Sequence, residues 1–203
     1  MGLVTLIKQP TFRLAVWKIE EEESFFTSAI RSSIPDLPLP GKRLQFLASR
    51  YLFHILGKDD SRVIKNEQGC PIDREGEWNC SISHCSSFAA LIISYTHHVG
   101  VDIEPIRDKV KVVAPRFLLP GEFDSASVEQ LMIYWSAKES LYKLSGIQGL
   151  DLRNHIHVES FIPEQKGELV GYINAVHQQR AKVFYRILEN HVLTWALPFQ
   201  QFE

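Results

Sequence analysis

The sequence predicts an α+β chain in two halves, each holding a helix and several mainly antiparallel strands. Three observations lead there. Apolar residues alternate or cluster at strand length over residues 3–7, 12–19 and 88–95, and again in a string of short segments over 156–196. Two longer segments, 42–56 and 127–145, carry helical spacing instead. A polar turn at His97-His98 then divides the 203 residues into portions of similar size, 1–98 and 99–203.

Each element follows from its residues. Trp17 and Ile19 end the second strand, and the acidic run Glu20–Glu23 suits the first turn of a helix that contains Phe25 and Phe26. Pro35, Pro38 and Pro40 mark a loop over 33–41. Leu44, Leu47, Leu52, Ile55 and Leu56 form one apolar stripe, which Gly57 ends. Turn formers crowd 57–80, and Phe88–Tyr95 reads as a strand because its end is β-branched. Pro105 stops the strand that ends at Glu104, Pro120-Gly121 is a turn, and Gly146 closes the last helix. Turns near Pro163, Gly167 and Glu189-Asn190 separate the C-terminal strands.

Composition excludes several classes. The apolar fraction of 45% supports a packed core, and a net charge of -2 provides no global basic field for nucleic acid or a membrane surface. Three cysteines, Cys70, Cys80 and Cys85, show no C-x-x-C spacing, which argues against a disulfide framework or a structural zinc site; His84 beside Cys85 matches no zinc pattern either. Lys8, Pro10 and Arg13 interrupt the apolar N-terminus, and no run approaches the roughly 18 apolar residues of a membrane span. The expectation is a soluble cytoplasmic protein with reduced thiols.

Two stretches carry the chemistry. In Val99-Gly100-Val101-Asp102-Ile103-Glu104, strand alternation puts Asp102 and Glu104 on one face and Val101 and Ile103 on the other. Two such carboxylates repel unless a cation lies between them, and Mg²⁺ prefers oxygen ligands. A solvated strand end with two harmless acids is the alternative on spacing alone. In Trp135-Ser136-Ala137-Lys138-Glu139-Ser140-Leu141-Tyr142-Lys143, Glu139 and Lys143 stand four apart on one helix side. Leu131, Ala137, Leu141 and Leu144 face the core, and Trp135 reads as a packing residue. An ordinary surface ion pair between Glu139 and Lys143 is the alternative here. His84, after Ser83, is suited to donate to a phosphate oxygen or to sit in a turn. Ser83 lacks a G-x-S-x-G elbow. Arg43 and Arg50, seven apart on the first long helix, offer an anion-binding face or a solvated one.

Together these residues resemble the 4′-phosphopantetheinyl transferase family, in its two-lobed, surfactin-synthetase-activating branch. The carrying motifs are Ser81-Ile82-Ser83-His84, Val99 to Glu104 and Trp135 to Lys143, in order and spacing, with Phe117 to Glu122 resembling, at one residue longer, the family's Phe-x-x-x-Glu. The resemblance spans about residues 42–150. It implies two similar lobes with pseudo-twofold symmetry, each a helix packed on a mainly antiparallel sheet, with the site in the cleft between them; one chain then supplies both halves and need not dimerise. It implies transfer of 4′-phosphopantetheine from coenzyme A to a serine of an apo acyl or peptidyl carrier protein, in fatty acid, polyketide or peptide synthesis, with 3′,5′-ADP released, as in holo-[acyl-carrier-protein] synthases. By similarity, Asp102, Glu104 and Glu139 are the ligands of Mg²⁺ (or Mn²⁺). Glu139, directly or through a metal-bound water, is the base, and Lys143 steadies the leaving phosphate. Arg43, Arg50, Ser83, His84 and Lys143 are the coenzyme contacts. Many relatives have Gly-Lys-Pro where this chain has Gly69-Cys70-Pro71, which removes one coenzyme contact. Arg107, Lys109, Lys111 and Arg116, interleaved with Val112, Val113 and Phe117, form the expected dock for an acidic carrier protein. The competing classes are a metal-dependent phosphohydrolase or nuclease, which the net acidity disfavours, and a non-catalytic carrier-binding module of the same fold, against which the intact acidic trio speaks.

Overall fold

Adjacent strands pair antiparallel throughout the computed structural model, which describes residues 2–37, 39–122, 124–175 and 177–199. The chain divides into two compact units, Met1–His97 and His98–Glu203. Pro38 of the expected loop lies outside the described residues.

The first unit is a six-stranded sheet with a helix on one face. Its strands are β1 (Leu3–Lys8), β2 (Phe12–Lys18), β3 (Val63–Lys65), β4 (Pro71–Asp73), β5 (Asn79–His84) and β6 (Phe88–Ser94), in the order β1-β2-β6-β5-β4-β3. The acidic run enters α1 (Glu23–Thr27) only at Glu23. The long helix is α2 (Pro40–Ile55), and Gly57 follows it with φ +72°, a left-handed conformation that costs glycine little. Leu47, Leu52 and Leu56 of the predicted stripe pack with Ala48 and Phe53 against Ala15, Trp17, Ala89, Leu91 and Ile93, and Leu44 and Ile55 of the stripe lie partly buried beside them. None of the three cysteines is joined in a disulfide, and burial pushes the Cys80 thiol up to about 12.

The second unit is a five-stranded sheet under one long helix. Its strands are β7 (Gly100–Pro105), β8 (Ile156–Val158), β9 (Lys166–Asn174), β10 (Gln178–Leu188) and β11 (His191–Pro198), in the order β7-β11-β10-β9-β8. Short α3 (Val110–Val113) and a 3-10 turn at Ala114–Arg116 precede α4 (Val128–Ser145). Ser127 caps α4 by accepting the Gln130 amide at 3.1 Å, and Gly146 ends it in the left-handed region. Leu131, Ala137, Leu141 and Leu144 pack on Ile156, Leu169, Ile173, Ala181, Val183 and Val192, so the predicted core face is the observed one. Glu189, at φ 52°, makes the tight β10–β11 turn that was expected.

Gly167 is a correction. It lies inside β9 opposite Tyr185 and does not form a turn. A Cβ there would meet the Tyr185 ring at 2.5 Å, so the glycine makes room for an aromatic ring within a strand.

No helix among the described residues is long and apolar enough to cross a membrane.

One glycine sets the depth of the helix. The position a Cβ would take on Gly100 is already filled by the carbonyl oxygen of Ser140. Glycine at the start of β7 is therefore what lets α4 lie so close to the strand. Gly100→Ala should cost about 1–3 kcal/mol through overpacking, read as a lower urea midpoint. Unchanged stability would mean that α4 has room to shift.

Candidate active site

Asp102 and Glu104 occupy the face of β7 that looks toward α4. β7 pairs with β11 so that Asp102 stands opposite Thr194 and Glu104 opposite Val192. Val192 belongs to the core beneath α4, which fixes the direction of that face. On α4, Ser136, Glu139 and Lys143 recur at intervals of three and four, which makes one stripe down the helix.

The two elements meet at Asp102, which is 3% exposed. The Lys143 ammonium donates to Asp102 Oδ1 at 2.9 Å and to the Val101 carbonyl at 2.9 Å. The Ser136 hydroxyl donates to Asp102 Oδ2 at 2.9 Å. Burial at this depth removes the solvated-strand-end alternative for Asp102, because an ionised carboxylate out of water needs partners. Lys143 pairs with Asp102 across the unit, so it is no ordinary surface partner of Glu139.

Glu104 and Glu139 share the resulting field. Burial, then the Asp102 charge, pushes the Glu104 carboxyl up to about 7; Glu139 adds to this, while Lys143 and Arg107 oppose it. Glu139 is raised as well, by burial first and by Asp102 second. Three carboxylates thus face one ammonium, and two of them resist ionisation.

That imbalance tests whether a divalent cation suits the site. Among the described residues, no group of three or more His, Cys, Asp or Glu is placed to hold a metal ion as it stands. The donor chemistry nevertheless fits: all three acids offer hard carboxylate oxygens, and their mutual repulsion is what a dication relieves.

Lys138 was missed in the sequence reading. It is 0% exposed, and its ammonium donates to the Phe117 carbonyl at 2.6 Å and the Leu152 carbonyl at 3.0 Å. Burial lowers its pKa to about 8, against the pull of Glu122 and Asp151. The signal was present: Leu131, Tyr134, Lys138 and Leu141 follow helical spacing on a buried face. Ser136 and Thr194 were also missed. Trp135 packs as expected, its ring edge-on to Phe117 at 5.1 Å.

Phe117 itself is a correction to the expected docking patch. It is fully buried, with Val110 and Ala114, in the core under α4. Val112, 79% exposed, is the apolar residue that α3 leaves outward beside Lys109, Lys111 and Arg116. Lys111 pairs with Asp108 at 3.5 Å.

The remaining predicted residues lie in the first unit. Arg43 Nε pairs with Glu23 at 2.7 Å. Arg50 donates to the Asp60 carbonyl at 3.2 Å and lies over the Phe46 ring, and burial lowers its pKa. On β5, register puts His84 opposite Ala89 and Ser83 opposite Ala90. Ala89 belongs to the core under α2, so exposed His84 lies on that face of the sheet and buried Ser83 on the other.

A stability test follows from Glu104. Its carboxyl holds a proton more tightly folded than unfolded, where it titrates near 4.5. The stability this gives is complete below about 4.5 and is lost as pH rises toward 7. In metal-free protein, Glu104→Gln should therefore raise the urea midpoint at pH 8 and leave it nearly unchanged at pH 4. Equal effects at both pH values would contradict the buried, repelled carboxyl.

Residues 98–196 match the model of the 4′-phosphopantetheinyl transferase superfamily. Over 75 residues the chain is 29% identical to the 4′-phosphopantetheinyl transferase HetI of Nostoc sp. (strain PCC 7120), a stretch covering 32% of each protein. The chain thus spans about a third of the length of that curated relative. The superfamily match takes in nearly all of the second unit, and Asp102, Glu104, Glu139 and Lys143 fall within it.

Proposed function

We propose that this chain transfers 4′-phosphopantetheine from coenzyme A to a serine of an apo acyl or peptidyl carrier protein. The observation that carries the reading is the grouping of Asp102, Glu104, Glu139 and Lys143 between β7 and α4, within the residues that match the superfamily. Two α+β units in one chain favour the two-lobed, surfactin-synthetase-activating kind. The superfamily match favours transfer over hydrolysis of a phosphate ester.

Asp102, Glu104 and Glu139 would hold Mg²⁺ or Mn²⁺, which when bound neutralises charge on the pyrophosphate oxygens of the coenzyme. The carrier serine oxygen bonds to the phosphorus next to pantetheine, and the bond from that phosphorus to 3′,5′-ADP breaks. Glu139 takes the serine proton, directly or through a bound water. With a dication beside it, its carboxylate stays ionised and able to accept that proton. Two N–H groups of Lys143 go to Val101 and Asp102, and the third is available for an oxygen of the leaving phosphate. Arg43, Arg50, Ser83 and His84 are proposed coenzyme contacts from the first unit, with Cys70 standing where relatives carry a further lysine.

The partner surface is α3 and the 3-10 turn after it. Exposed Lys109, Lys111 and Arg116 around Val112 suit an acidic helical carrier.

Incubating the chain with apo carrier protein, coenzyme A and Mg²⁺ should add about 340 Da, one phosphopantetheine, to the carrier. Glu139→Ala should abolish that gain while the protein remains folded, and Asp102→Asn, which keeps the side chain's shape, should abolish it too; substantial transfer by either variant would refute the assignment. Reversing the charges of Lys111 and Arg116 should raise KM for the carrier and leave coenzyme binding unchanged. Unaltered carrier kinetics would remove this surface from docking.

A further inference from the structure

We propose that Ser136, backed by Thr194, is a positioning residue that sets the Asp102 carboxylate for a divalent cation. The inference rests on the reading above, in which Asp102 is a ligand of that cation.

A serine inside a helix usually turns its hydroxyl back to a carbonyl of its own helix. Two others in α4 do so: Ser140 donates to the Ala137 carbonyl at 2.9 Å and Ser145 to the Tyr142 carbonyl at 2.7 Å. Ser136 differs. Its hydroxyl crosses to β7 and reaches Asp102 Oδ2 at 2.9 Å, with Ser136 fully buried.

Thr194 stands behind this bond. It is the β11 residue directly opposite Asp102, and it is also fully buried. Its Oγ1 lies 2.8 Å from the Ser136 carbonyl oxygen and 3.0 Å from Ser136 Oγ. A carboxylate only accepts, so the single Ser136 proton is committed to Asp102. Thr194 is then the donor, sharing its proton between the two oxygens of Ser136. The chain of hydroxyls has one direction, from β11 through α4 to β7.

The consequence is orientational. Oδ2 is tied to Ser136 and Oδ1 to Lys143, so the carboxylate cannot turn about its Cβ–Cγ bond without breaking both bonds. A ligand set this way gives up little freedom when a cation arrives. Partners that orient metal ligands in this manner typically change metal affinity about 10–100-fold when removed.

The test is an electron paramagnetic resonance titration of the full chain with Mn²⁺ alone, with no coenzyme A, alongside melting temperatures of the metal-free proteins. Ser136→Ala should weaken Mn²⁺ binding about tenfold or more. Thr194→Val should weaken it less, and Thr194→Ser should match the unsubstituted chain. A purely structural role would lower the melting temperature and spare Mn²⁺ affinity. Unchanged affinity in Ser136→Ala therefore overturns the proposal and leaves the metal reading intact. If Ser136→Ala does not fold, the Thr194 pair decides, and equal affinities for Thr194→Val and Thr194→Ser overturn the proposal. Failure of the unsubstituted chain to take up Mn²⁺ overturns the metal reading, and this inference falls with it.

Discussion

A single carboxylate buried between a strand and a helix constrains the rest of the second unit. Asp102 cannot stay ionised out of water without strong partners, and α4 supplies two, the Ser136 hydroxyl and the Lys143 ammonium. That requirement fixes the rotation of α4 about its axis, because Ser136 and Lys143 must both face β7. Glu139, between them on the same stripe, is carried to the same place. The close approach is possible only because Gly100 has no side chain to hold the helix away. Packing and chemistry are therefore the same contact, and the acids gain their perturbed protonation from the burial that anchors the helix.

Much of this was legible in the sequence because the signals are local. Alternation placed Asp102 and Glu104 on one face of a strand, and helical spacing placed Glu139 and Lys143 on one side of a helix. Gly146 marked the end of α4, where a left-handed glycine closes the helix. Those signals do not state which distant groups meet. The partner of Lys143 is 41 residues away across the sheet, and a four-residue spacing pointed to Glu139 instead. Ser136 and Thr194, 58 residues apart, are brought together by the packing of α4 on β11.

The misjudged residues share a physical cause. Phe117 sits among basic residues in sequence and so suggested a surface, yet α3 and the turn after it rotate the ring into the core beside Trp135. Gly167 suggested a turn because glycine is common there, whereas an aromatic ring on the neighbouring strand needs the space. Each environment depends on a neighbour far along the chain.

Lys138 has one more consequence. An amine with a pKa near 8 holds a large neutral fraction in mildly alkaline buffer, where exposed lysines remain almost wholly charged. By protonation alone it would be among the most nucleophilic amines of the chain, yet complete enclosure shields it from reagents in solution. Its acylation requires the enclosure around it, the carbonyls of Phe117 and Leu152 included, to open. The rate at which an amine-directed label reaches this lysine thus reports how often that enclosure opens.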